Sequence, residues 1–186
     1  MALQTSGFSL YFSASFIPNR RWWLVAIWCL LIFYSAGLYR SNQRWREAAN
    51  LSKSILNDLA LSRQDALLVL NVPENLRGVP VYQNGLEQAL RTFQPFKKIS
   101  QVDVASFQTL RSTSDMIEIR REANLFSIRL LEEKADFSRV NDHLECVLIE
   151  ERSKNSVRIR LRDCITGKEV FVFQGGRMSE VSTVQR

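Results

Sequence analysis

The side chains whose types could do chemistry are few: the pair Asp142-His143, the cysteines Cys146 and Cys164, and the alternating arginines Arg158, Arg160 and Arg162. A Ser-His-Asp set needs convergence in space and an anchor such as a nucleophile elbow, and the sequence offers no such anchor. His143 therefore reads as a surface residue in a polar break. The acid pairs Glu132-Glu133 and Glu150-Glu151 fall in segments with strand alternation. Neighbours there point to opposite faces, which does not suit a paired acid and nucleophile. One His and three Cys exclude a multi-histidine metal site, a four-cysteine zinc site and a disulfide-dense scaffold. Gly78 and Gly85 are isolated and make no phosphate loop. No catalytic residue, metal or cofactor is expected.

The best ligand-binding candidates border the segment between a buried strand and a short helix: Asn71, Pro73, Asn84 and Gly85. In αβ units ligands collect beyond the carboxyl ends of strands. The plainer reading of the same segment is chain reversal. The three arginines could meet lipid or sugar phosphates, but a solvated face partnered by Glu150 is favoured.

These residues need elements to hold them, and the chain divides by composition. Residues 1–39 contain no acid and only Arg20 and Arg21 as bases, while all 19 acidic residues follow position 40. Trp22 to Tyr39 carries no charge and is bounded by Arg21 and Arg40. As a helix it is about 27 Å long, the thickness of a bilayer's hydrocarbon core. Trp22, Trp23, Tyr34 and Tyr39 near its ends suit the headgroup zones. A buried core helix and a cleaved signal peptide are the alternatives, and the long leader and bulky aromatics weaken the second. Phe8–Ile17 is too short to span and reads as an interfacial segment or the tail of an earlier membrane helix. The basic flank Arg40, Arg44, Arg46 and Lys53 by itself leans towards a cytoplasmic C-terminus.

A juxtamembrane helix follows over 40–62, with Ser41 as its cap. The run from Ala66 to Val72, closed by Pro73, predicts a strand buried on both faces. Leu86, Ala89, Leu90 and Phe93 recur at helical spacing, so 86–94 is a short amphipathic helix ended by Pro95. Beyond Lys98, strand alternation covers 99–105, 114–121, 125–132, 144–151, 156–163 and 168–174. The expected fold class is α+β: one transmembrane helix, a small αβ unit and an antiparallel meander within 63–176, then a polar frayed tail over 177–186. A turn at Ser153-Lys154-Asn155 pairs Val147 with Leu161 and Ile149 with Ile159, and sets Glu150 against Arg158. Cys146 and Cys164 are then diagonal neighbours; a register shifted by two would oppose them. Both outcomes stay open, a disulfide in an oxidising compartment or two unpaired thiols. The net charge of +6 is scattered, with no run of bases longer than two, so nucleic acid is not an expected partner.

The stretch over residues 38–93 resembles the C-terminal part of bacterial polytopic membrane proteins of the GT-C glycosyltransferase type. The residues that carry the likeness are Asn42, Trp45, Ala48, Asn71, Pro73, Gly78, Asn84, Gly85, Leu86 and Ala89. The resemblance implies a last membrane helix over 22–39, preceded by an N-terminal segment over 1–21, and a domain facing the periplasm from the inner membrane. The chain lacks the multi-helix body and the early acidic loop residues that such enzymes use with polyprenyl-phosphate sugars. A non-catalytic terminal domain is therefore expected, partnered by the bilayer and by other membrane helices or a split transferase subunit. The alternative is a one-span envelope assembly protein.

Overall fold

The computed structural model describes residues 20–82, 85–93, 99–113, 117–165 and 167–181. The chain divides into two compact units, Met1–Ser41 and Asn42–Arg186. The fold is α+β, with one long apolar N-terminal helix, one short helix and several β-sheets.

Helix α1 runs unbroken over Arg20–Ala60. Ser41, read as a cap, is therefore an interior residue. No Pro or Gly lies between Leu38 and Ala60, and an existing helix propagates more easily than a new one nucleates. In the first unit every described residue of the span 22–39 is exposed. It is the one helix among the described residues that is long and apolar enough to cross a membrane.

The second unit begins with the polar turn of α1, and its core begins at Ala48. Ala48, Leu51, Ile55 and Leu59 lie on one stripe at spacings of three and four, all buried. Strands β1 (Ala66–Val69), β4 (Gln101–Val104), β11 (Lys168–Gln174) and β12 (Arg177–Val181) form the first sheet, in the order β12-β11-β1-β4. Here β1 is parallel to both β11 and β4. Strands β2 (Val72–Leu76), β3 (Val79–Pro80), β5 (Ser106–Leu110) and β8 (Asp136–Val140) form the second, in the order β3-β2-β5-β8. Strands β6 (Ile117–Glu122), β7 (Leu125–Leu130), β9 (Val147–Arg152) and β10 (Ser156–Leu161) form an antiparallel third, in the order β6-β7-β10-β9.

The predicted strand 66–72 is thus two strands in two sheets. The chain leaves the first sheet at Leu70-Asn71 and its parallel neighbour leaves at Ala105. Pro73 does not end a strand but lies inside β2, next to a register shift between Pro73 and Asn75. A bulge is where a strand tolerates a residue without an N–H. Strands β5 and β8 were not expected, and the tail is not wholly frayed. Gly175 and Gly176, at φ 60° and 82°, turn the chain so that Arg177–Val181 pairs with β11. The Met178 N–H donates to Asp58 Oδ2 at 3.0 Å, fixing that strand to α1. Residues 182–186 lie outside the described residues, as do the N-terminal segment 1–19 and Asn84.

The hairpin has the predicted pairs Val147 with Leu161 and Ile149 with Ile159. A register shift between Arg158 and Ile159 then changes the outer face. Arg158 lies opposite Glu151, at 3.2 Å, and Arg160 rather than Arg158 binds Glu150.

Tyr82 ties the segment after β3 to α1. Its hydroxyl donates to the Ser52 carbonyl at 2.6 Å and accepts from Ser52 Oγ at 2.8 Å. Burial raises the Tyr82 pKa to about 12, against a smaller lowering by the Ser52 hydrogen bond. A folded-state value above the unfolded value of 10.0 means the contribution is complete below pH 10 and lost as pH rises towards 12. Tyr82→Phe should cost about 1 kcal/mol near neutral pH. Urea midpoints of the two proteins should converge as pH rises through this window; parallel curves would sink the assignment.

Candidate functional site

A groove of about 690 Å³ opens in the second unit between the start of α2 (Leu86–Phe93), the outer edge of β4, and the end of β8. Its apolar lining includes Val102, Val104 and Phe107; Glu87, Arg139, Asp142 and His143 contribute charge or polarity. Sequence alone makes α2 a helix here. Gly85 accepts the Ala89 N–H at 2.7 Å and so caps it, and Glu87 pairs with Arg91 one turn on at 2.7 Å.

Strand β4 is an edge strand among the described residues, bonded only to β1. The Gln101 and Ala105 N–H groups both donate towards β1, to Asp65 at 3.4 Å and Val69 at 2.8 Å. Successive residues of a strand direct their backbone groups to alternate sides. Val102 and Val104 therefore aim theirs at the groove. On the same side of the chain β8 covers β5 and stops once the Asn141 N–H has bonded the Ala105 carbonyl at 2.8 Å. The slot beyond β8 has the backbone geometry and apolar floor to receive an extended segment.

Arg139 closes one side of this slot. Its guanidinium lies 4.0 Å over the Phe107 ring, and the two residues are register partners in the second sheet. Such stacking holds a cation by the ring's quadrupole. His143 and Asp142 approach at 3.5 Å, both highly exposed. Among the described lining residues there is no Ser, Thr or Cys; the ionisable side chains at the groove are Glu87, Arg139, Asp142 and His143. Among the described residues no group of three or more His, Cys, Asp or Glu converges as a metal site.

The described ligand-binding candidates, Asn71, Pro73 and Gly85, do not come together. Gly85 lines the groove. Asn71 is fully buried and spent on structure. Its Oδ1 accepts the Phe173 N–H at 2.9 Å, and its Nδ2 donates to the Phe173 carbonyl at 3.0 Å and to Gln108 Oε1 at 3.2 Å. The side chain thus continues the pairing of β1 with β11 where the backbone departs for the second sheet. Ser106 Oγ reinforces the bend by donating to the Leu70 carbonyl at 2.7 Å. Pro73 is buried next to this bend, away from the groove lining.

Cys146 and Cys164 form a disulfide with a Cα–Cα distance of 5.3 Å. The unshifted register suffices because Cys164 is not in the strand. It sits in the single 3-10 turn Asp163–Ile165, which follows β10, while the Arg162 N–H reaches the Cys146 carbonyl at 3.1 Å. Sequence reasoning missed Arg139, Phe107 and the free edge of β4. The alternation Phe137-Ser138-Arg139-Val140 was the available signal for β8, hidden because Lys134–Phe137 reads as a break.

No family model, curated protein or solved structure matches this chain.

Proposed function

We propose that the chain is the membrane-anchored terminal domain of a glycosyltransferase-like assembly in a bacterial inner membrane, binding rather than catalysing, with its second unit in the periplasm. The observation that carries this reading is the apolar, exposed span 22–39 in a helix that continues as the first core element of the β-rich unit. The Cys146–Cys164 disulfide supports the periplasmic side, since disulfides persist in oxidising compartments. It outweighs the basic flank, because charge counts orient a long domain weakly. The likeness of residues 38–93 to the end of GT-C-type chains supports the kind of assembly. The groove's binding contacts fit an accessory role beside a catalytic membrane body held elsewhere.

A second reading, a one-span envelope assembly protein, is favoured by one observation, the free β4 edge within the groove. A tag on the chromosomal C-terminus separates the two. A denaturation-resistant band far above 21.5 kDa marks the end of a polytopic enzyme; a band near 21.5 kDa marks the one-span protein or a split subunit. Co-purification of a multi-span transferase with the smaller band then selects the split subunit. In either case the purified chain alone should release no sugar from polyprenyl-phosphate donors. Turnover that survives mock-purification controls would overturn the non-catalytic reading.

A further inference from the structure

We propose that Arg44, Arg46 and Arg77 form a basic rim on the second unit that binds lipid phosphates, so that this unit rests on the bilayer surface. The inference rests on the reading of 22–39 as a membrane span. Arg44 and Arg46 follow Tyr39, the last residue of the span, by only five and seven positions in the sequence. The polar zone of one leaflet is about 5–8 Å deep, and an arginine side chain adds its own reach. Both arginines are exposed, and Trp45 between them is 57% exposed on a helix whose first core residue is Ala48. An indole left in the open next to two guanidinium groups suits the headgroup layer, where its ring is half-dry and its N–H is wet.

The rim extends from the helix to the sheet. Arg77 Nη1 reaches Glu47 at 3.0 Å, and Arg77 Nε donates to the Arg111 carbonyl at 2.6 Å. Arg77 holds a left-handed backbone, φ 51°, in the turn between β2 and β3, with its N–H bonded to Leu110 at 2.8 Å. These bonds place a third cation beside the first turn of the domain. The acid within this set, Glu47, is already engaged by Arg77 and fixes it there. Lipid phosphate is the complementary charge that the span itself brings within reach.

The test uses the full chain in nanodiscs containing phosphatidylglycerol, with Cys29→Ser and a nitroxide on Thr113→Cys, two residues past Arg111. Gadolinium-chelate headgroups report the label's approach to the phosphates. Strong relaxation enhancement is expected in the parent protein. The attached-to-detached ratio should fall about fivefold for each arginine neutralised, and fall also as salt is raised. Arg77→Gln also disturbs its turn, so Arg44→Gln with Arg46→Gln is the decisive variant. Enhancement unchanged in that variant, or absent in the parent protein, overturns the proposal. Carbonate extraction of the same chain from membranes is read separately: release there defeats the span reading itself, whereas retention with no enhancement defeats only the rim.

Discussion

Replacing Asn71 by alanine will destabilise the domain by about 3–4 kcal/mol, more than any other single polar substitution in the core. Three bonds explain the size. Asn71 takes the Phe173 N–H at 2.9 Å, gives to the Phe173 carbonyl at 3.0 Å, and gives to Gln108 at 3.2 Å. The alanine leaves Phe173 with a buried donor and acceptor, and each orphaned group costs about 1–3 kcal/mol. Gln108 is fully buried as well: its Oε1 accepts from Asn71, and its Nε2 already has no partner among the described residues. Losing Asn71 would leave that amide wholly unsatisfied. Urea unfolding of the full chain in mild detergent, followed by the near-ultraviolet signal, measures the loss. Ser106→Ala, which removes the single bond to Leu70, should cost about 1 kcal/mol and serves as the scale. A loss below that of Ser106→Ala would mean that Phe173 has found another partner and that Asn71 does not hold the bend.

Removing the disulfide by Cys146→Ser with Cys164→Ser should cost about 3 kcal/mol. The cystine closes a loop with a sequence separation of 18, and the chain-entropy model gives that size for such a loop. Reductant should lower the stability of the native protein by a like amount and leave the double variant untouched. The unfolded, unreduced protein should show one reactive thiol, Cys29, and three after reduction. Equal thiol counts before and after would sink the pairing, and with it the support for a periplasmic domain.

The sequence was legible wherever one local pattern decided the outcome. The uncharged stretch Trp22–Tyr39 needs no partner to announce a span-length helix, since its length and composition alone set the comparison with a bilayer. The spacing of Leu86, Ala89, Leu90 and Phe93 gave α2, which the structure has over Leu86–Phe93. The pairs Val147–Leu161 and Ile149–Ile159 followed from a short turn and two apolar alternations. Those are contacts between neighbours in the chain, where turn geometry fixes the register.

Tertiary structure decided what depends on distant partners. Asn71 reads as a ligand-binding candidate near the end of a strand until Phe173, some hundred residues later, appears opposite it. Pro73 reads as a breaker until the bulge shows that β2 does not need its N–H. Glu150 meets Arg160 rather than Arg158 because a bulge shifts one side of a hairpin whose apolar alternation is unaffected. The groove exists only because β8 stops at Asn141 and leaves β4 uncovered, an event set by two strands that are adjacent in space and not in sequence. By itself the sequence determined which segments are apolar, how long they are and what period they keep. Where the sheets part, which strand is left at an edge and which polar groups are spent inside were decided by the tertiary structure. Each buried donor and acceptor must find a partner, and in this fold those partners lie far along the chain.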